Sequence, residues 1–574
     1  MRKKDKAKKE LIIQFANQFY DTNGTKPMSS EIEITSILTA DVVATLDSLY
    51  FYDICPLGNK KRKELIQRWY NLNNDSATED EISSRVENAQ SQINTFLGNG
   101  AAFLPAVPMV IISTLQNVDA VKKAYAGSKY SFLYESLIIS SLSRISSSYT
   151  GSGEYNIDIS ILSRLAFEML NNGNTSFTEE QLKNIITLIS EEYIISIASD
   201  NFVKKMESAR IIYKDPSAGE VYRFRYPYIF YYFCGRYIAY NLSENGVKEK
   251  VQYMSSRLYN ETYGNIIIFV CHFANSSEVI DDVLLNAYYT LNDYPEFDFT
   301  KSNPIFDEIK DSVEALILPT IASNDVAVAD NKDKQLMHMD EVGINDGHVD
   351  NGEIIIDDEV SDKEKDMAAV VSALKTIEVL GQILQNYPIQ IKGPVKIDII
   401  SEMQKLGMRS VQAIIGTLRY LEQDLVDYIY ERACRSKKYL SREDVVIQTH
   451  RFINMIVTGM ARSMIHEVAV SLKSEHLLSA STKALTIDPS ISSKLVLMDL
   501  KLNCLNKVDY NEIYNLKKSF DGGNERFASR ILDSIIGYFL NYNNCDHALR
   551  AKLCALCGFS EQKQLISTHA NLLN

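Results

Sequence analysis

Nowhere in these 574 residues is there a phosphate loop. Such a loop reads GxxxxGK[ST]. Its glycines let backbone N–H groups cradle phosphates, its Lys reaches the outer phosphates, and its hydroxyl holds Mg²⁺. The chain's GxxxxG pair, Gly347 and Gly352, runs on into Glu353 and Ile354 in an acidic stretch. A carboxylate there would repel phosphate. A GxSxG nucleophile elbow is also missing. So is an HExxH zinc helix, because Val470 stands where a second His would have to follow His466-Glu467. The acids of Asp340–Glu353 do not follow the order of an EF-hand loop. With no catalytic constellation, no enzyme is expected.

Other scarcities bear on the fold. Proline at 12 residues and glycine at 24 leave few tight turns, which suits a helical chain. The eight cysteines have no framework spacing and read as reduced thiols. The longest apolar run, Ala101–Leu115, is too short to span a bilayer and contains Pro105 and Pro108. The aromatic run Pro227–Tyr240 is also short and carries Arg236. The basic start MRKKDKAKKE is not followed by a signal-type apolar segment. No membrane association is expected, and a cytoplasmic location is.

The net charge of −14 is concentrated in one place. Asn324–Asp366 holds 14 acidic residues and four lysines, so the rest of the chain is nearly neutral. Ser323–Asp362 is acidic, aperiodic and low in aromatics, the composition of a disordered linker or exposed loop.

Periodicity supplies the elements. Leu11, Ile12, Phe15 and Phe19 share a helical face; Glu31–Thr35 alternates as a strand; Asp41–Leu49 reads as helix and Tyr50–Cys55 as a short strand. Lys60–Trp69 is helical, and the Thr78–Glu81 capping pattern opens a helix through Phe96. Ala101–Gln116 and Ser131–Ile145 follow as helices, ending at the Thr150–Gly153 loop. Next come three helices, Ile157–Leu170, Thr178–Ser190 and Ser199–Ala209, with Gln181 placed to close a capping box on Thr178. Two β runs, Ile211–Lys214 and Val221–Tyr226, flank Asp-Pro-Ser-Ala-Gly, a hairpin signal. Three helices and then a hairpin is the order of a winged helix. Helices are expected at Tyr228–Asn241, Lys248–Leu258, Tyr263–Ala274, Val279–Leu291 and Phe306–Ile321. Beyond Asp362 almost everything reads as helix, with Met367, Val370, Val371, Leu374, Ile377 and Leu384 on one apolar face and Ser441–Asp444 capping a long helix. Serial helix pairs suggest a solenoid-like or bundled array.

Four segments in this order resemble the bacterial STAND NTPases, NACHT-like signalling ATPases related to animal and plant immune receptors. ICPLGNKKRKELIQRWY (Ile54–Tyr70) is similar to the lid segment after their nucleotide-binding core, with Pro56, Leu57, Gly58, Arg62 and Trp69 as its marks. Phe103–Gln116 with Tyr130–Ile138 is similar to their post-core helices, and Val221–Ala239 to the winged-helix exit. Ile377–Pro388 with Lys405–Arg409 is similar to their C-terminal helical region. The resemblance implies a switch in which ATP replaces ADP, the winged helix releases and the assembly activates an effector. This chain shows neither the phosphate loop nor an acidic strand for the metal, so no catalytic residue carries over. A truncated or split member is the expectation, with the NTPase half supplied by another polypeptide. No cofactor is expected for the chain alone; ATP or ADP enters only with a partner's phosphate loop. Arg62 and Lys63 could face phosphates supplied in trans, but read first as solvated helix charge.

Other clusters have plainer readings. Cys545, His547, Cys554 and Cys557 are a legitimate zinc set by type. Their C-x-H spacing is unusual and the helix is apolar, so core packing is preferred over a metal. Lys204, Lys205, Arg223 and Arg225 are where a winged helix would touch DNA, but no broad basic patch surrounds them. In Tyr222–Tyr226 the alternation points arginines outward and aromatics inward, so nucleic acid is not the expected partner. Tyr228, Phe230, Tyr231, Tyr232, Phe233 and Tyr237 read as a buried helix rather than a ligand stripe.

The expected fold class is mainly α, with a small α/β remnant at the N-terminus, a winged helix with a β-hairpin wing and a C-terminal helical array. The expected organisation is an NTPase remnant and lid (1–99), a helical connector (100–153), a winged helix (154–242), a helical region (243–322), an acidic linker (323–362) and a sensor-like array (363–574). The expected function is the non-catalytic regulatory portion of a STAND-type signalling NTPase in antiphage or stress defence. It would bind a trigger protein or an NTPase–effector partner, and self-association suits the role. The competing reading is a stand-alone scaffold or winged-helix regulator of protein or DNA, independent of nucleotide.

Overall fold

Helix follows helix along most of the chain because capping and apolar periodicity agree. The structure, a computed structural model, describes residues 57–72, 78–97, 108, 110–112, 114–116, 129–143, 145, 153–215, 221–274, 277–300, 321, 322, 324–345, 365–435 and 441–559. The elements expected before Leu57, the turn residue Pro56 and most of the helix expected at Phe306–Ile321 lie outside the described residues.

The first helices are α1 (Asn59–Leu72), α2 (Glu79–Leu97) and α3 (Lys129–Leu142). The expected capping box forms ahead of α2: Glu81 N–H donates to Thr78 Oγ1 at 3.3 Å, and Thr78 N–H to Glu81 Oε2 at 3.1 Å. Three helices follow, α4 (Gly153–Asn171), α5 (Glu179–Glu192) and α6 (Ser199–Ser208). A two-stranded antiparallel sheet, β1 (Ile212–Asp215) and β2 (Val221–Phe224), comes after them. Its register pairs Ile212 with Phe224 and Asp215 with Val221. Phe177, between α4 and α5, bridges to Tyr222 as an extra rung.

α7 (Pro227–Tyr240) starts where Pro227 occupies the first turn, a position that needs no backbone donor. It lies between α4 and α9 (Glu261–Ala274), with α8 (Asn245–Ser255) and α10 (Ser277–Tyr289) packed alongside α9. Gly235 permits the crossing, since a Cβ there would sit 2.5 Å from the Cβ of Phe269. Tyr228, Phe230, Tyr231, Tyr232 and Phe233 are buried, as expected of a core helix.

The expected flexible linker is corrected over half its length: Asp325–Asn345 form a helix, α11. Asp333 and Asp340 have distant partners on α1, in Lys63 and in the backbone of Asn59 and Lys60, which a local reading of charge cannot supply.

Then come α12 (Lys365–Asn386), α13 (Gly393–Tyr420), α14 (Glu422–Arg435), α15 (Arg442–Ser471), α16 (Leu478–Ile487), α17 (Ile491–Asp499), α18 (Tyr510–Gly523), α19 (Arg526–Tyr542) and α20 (His547–Cys557). Ser441 and Asp444 form the expected capping box on α15. α13 touches α10, α12, α15, α16 and α17, so these helices form a bundle around it. On α12 the face turned inward is Val370, Ala373, Ile377, Leu380 and Leu384, while Val371, expected on it, is exposed. α12 and α13 also pack on α9 and α10, and one core runs from Ile66 to Cys557. Ala368–Gln385 is long and apolar enough to cross a membrane by length and composition, with a mean hydropathy of 1.2. Half of that window is buried against other helices.

Candidate regulatory site

Two regions carry the residues singled out from the sequence: the basic helix α1 and the α4–β2 unit. α1 has no acid in its own first turn. Its unsatisfied N-terminal donors are met from far away. Asn59 N–H donates to Asp340 Oδ1 at 2.6 Å, Asn59 Nδ2 to the same oxygen at 2.9 Å, and Lys60 N–H to Asp340 Oδ2 at 3.2 Å. A carboxylate suits this end of a helix, where the aligned peptide dipoles leave partial positive charge. Gly58 makes room for it, because a Cβ there would lie 2.6 Å from Asp340 Oδ2.

Arg62 and Lys63 are therefore not simply solvated charge, which corrects the plainer reading of those two, while Lys61 and Arg68 are exposed. Lys63 Nζ is 2.7 Å from Asp333 Oδ1. Arg62 is turned inward and hydrogen-bonds Asn59 Oδ1. Burial lowers the Arg62 pKa from its ordinary value, opposed by the charge of Asp340. Leu57 and Trp69 pack against the core, half-buried.

In the α4–β2 unit, the rung is reciprocal: Phe177 N–H donates to Tyr222 O at 2.9 Å, and Tyr222 N–H to Phe177 O at 2.7 Å. The capping box on α5 also forms, with Thr178 N–H to Gln181 Oε1 at 2.9 Å and Gln181 N–H to Thr178 Oγ1 at 3.2 Å. Together these fix where α5 begins relative to β2. Tyr222 and Phe224 point inward and Arg225 is exposed, as the alternation in sequence implies.

Three of the four basic residues at the positions where a winged helix would touch DNA have partners inside the protein. Lys205 pairs with Asp158 of α4, a carboxylate only 4% exposed. Arg223 Nε lies 3.2 Å from Asp215 Oδ2 across the hairpin. The Arg225 guanidinium sits 5.3 Å from the Tyr213 ring centroid, within cation–π range. Lys204 is exposed on α6.

Among the described residues no three His, Cys, Asp or Glu side chains are grouped to hold a metal ion. Cys545, His547, Cys554 and Cys557 thus do not converge. Cys557 is buried; burial pushes its thiol pKa up, and it hydrogen-bonds the Asp533 carboxylate. The same carboxylate meets Lys517 Nζ at 2.6 Å.

One cluster had no counterpart in the sequence reading. Asp499, with no exposed surface, lies 2.7 Å from His466 Nδ1, 3.0 Å from Arg462 Nη2 and 2.6 Å from Asn503 Nδ2. Burial alone would raise its pKa, yet the His466 hydrogen bond and the Arg462 charge bring it below the ordinary carboxylate value. The next five residues, Leu500–Cys504, form a π-helical turn. The signal that could have found this hub is a single carboxylate in the apolar run Leu495–Leu502.

Residues 175–234 match the family model described as Novel STAND NTPase 4. The matched stretch takes in the Phe177 rung, α5, α6, the hairpin and the first half of α7. No curated protein matches the chain, and no solved structure does. The similarity to the STAND NTPases is to that family model and spans residues 175–234.

Proposed function

We propose that the chain is a regulatory, non-catalytic portion of a STAND-type signalling NTPase, acting in the cytoplasm in defence against phage or a comparable stress. The supporting observation is the order helix, rung, helix, helix, hairpin within and just ahead of the matched segment. That order is the one a winged helix has, with the Phe177 rung as its first short strand. On this reading nucleotide is gripped by a phosphate loop outside these 574 residues, and the winged helix locks or releases that half. The C-terminal bundle receives a trigger protein. Coupling of this kind needs an interface with two arrangements that the trigger biases.

The alternative, a stand-alone scaffold or DNA-binding regulator, has less support. Lys205, Arg223 and Arg225 are spent on internal partners, which leaves few charges to neutralise phosphates. The experiment that separates the readings has two arms. Pull-down with the product of the neighbouring reading frame should recover a polypeptide that carries a phosphate loop. Titration with duplex DNA across a salt series should show no salt-dependent specific binding. DNA binding that collapses with salt, and no such partner, would favour the alternative.

A further inference from the structure

α11 is held on two sides, and the hold is mostly polar. Toward α1 and α2 it offers the Asp340 cap, the Lys63–Asp333 pair at 2.7 Å and the Lys332–Glu87 pair at 2.6 Å. Toward the bundle, Gln335 Nε2 donates to Tyr538 Oη at 3.1 Å. Just ahead of the helix, Ala322 N–H donates to Asn541 Oδ1 at 2.8 Å, and Arg550 Nη1 donates to Ala322 O at 2.7 Å. The Tyr538 ring in turn lies 5.5 Å from the His466 ring and 5.9 Å from the Arg462 guanidinium, two of the partners of buried Asp499.

Apolar burial contributes little to this hold. From Asp325 to Glu341, Val328 is the buried residue, and Val326, Met337 and Met339 are exposed. Segments with few buried apolar contacts open at lower free energy than the core they rest on. Ion pairs at half-exposed positions also weaken as salt screens them. By contrast, the bundle helix α13 buries Ile399, Ile400, Met403, Leu406 and Met408.

We propose that α11 is a releasable acidic clasp that fastens the basic helix α1 to the C-terminal bundle. In the closed form described here Asp340 occupies the donors of the α1 N-terminus and Asp333 engages Lys63. Opening withdraws both carboxylates together, because they lie on one helix, and frees the start of α1 and its basic side chains. A trigger acting on the bundle around Tyr538 can thereby reach α1 without unfolding the core. The inference adds a regulatory device to the function proposed above. Its test reads opening rather than nucleotide, so either can fail alone.

Hydrogen exchange on the full chain tests it. Asp340→Ala removes the cap, Asp333→Lys sets like charges against each other, and Gly58→Ala pushes the carboxylate away from the α1 side. Each should speed exchange about tenfold or more over residues 59–72 and 325–341 and leave α13 unchanged. Lys63→Asp combined with Asp333→Lys should restore protection lost in Asp333→Lys. In the unsubstituted chain, raising salt from about 20 mM to about 500 mM should speed the same two segments. Unchanged exchange in the variants or across the salt series would overturn the clasp. So would an equal rise across α13, or a charge swap that restores nothing.

Discussion

His466 Nδ1 stands 2.7 Å from Asp499 Oδ2, against a carboxylate with no exposed surface. His466 and Arg462 come from α15, Asp499 ends α17, and Asn503 lies in the π-helical turn that follows. The pair therefore ties neighbouring bundle helices at a carboxylate that water does not reach. Removing one member of a buried, hydrogen-bonded charge set costs about 3–5 kcal/mol, because the remaining charges lose their compensation.

Asp499→Ala is accordingly expected to lower unfolding free energy by about 3 kcal/mol, toward the small end because His466 and Arg462 keep some access to water. The pH dependence has a definite sign. The folded-state pKa of Asp499 is below the ordinary value, so its contribution is present above the unfolded-state pKa. It is lost as pH falls through the lower folded-state value. Denaturant titrations from neutral to acid pH should show the parent losing this increment, and Asp499→Ala should lack that part of the slope.

His272 behaves in the opposite chemical sense but with a related outcome. It is neutral in the folded protein, with a pKa lowered to about 4, first by burial and then by the nearby Arg236 charge. The unfolded chain takes up the proton near the usual pKa of about 6.5, so stability falls as pH drops between those values. The parent should lose about 2–3 kcal/mol across that window through this group. His272→Phe should flatten the profile there, measured as the difference in denaturation midpoint between pH 7.5 and pH 4.5. Equal slopes in both proteins would contradict the assignment.

Ile194 ends α5 in the left-handed region at φ 53°, and its side chain is 92% exposed. Ile195 N–H bonds back to Ser190 O at 2.9 Å, which closes the helix around that residue. Glycine is the usual occupant of such a position, because a Cβ, and a branched one above all, crowds the backbone there. Ile194→Gly should therefore raise stability by about 1 kcal/mol in thermal or denaturant unfolding, with no packing lost. A loss of similar size would show that the Ile side chain has a partner in solution.

What the sequence made legible was local. The capping boxes at Thr78–Glu81, Thr178–Gln181 and Ser441–Asp444 each lie within four consecutive residues, and each forms. The inward aromatics of β2 and α7 followed from period-2 alternation and from a helix apolar all round. The mainly helical class followed from the same periodicities. α11 was missed because its carboxylates pair with Asn59, Lys60 and Lys63, about 270 to 281 positions away. Without those partners the stretch has only the composition of a tether. Arg62 and Lys63 were read as solvated charge for the same reason. The Asp499 hub draws on residues 33 and 37 positions upstream, and spacing in sequence does not mark such a set.

The proposed function holds that this polypeptide regulates rather than hydrolyses, since its sequence contains no GxxxxGK[ST] string. Calorimetric titration of ATP and of ADP, with Mg²⁺, into the purified monodisperse chain tests this most directly. No saturable heat is expected for the chain alone, and binding should appear only once a polypeptide with a phosphate loop is added. Stoichiometric binding by the isolated chain, abolished by a single substitution within it, would contradict the account.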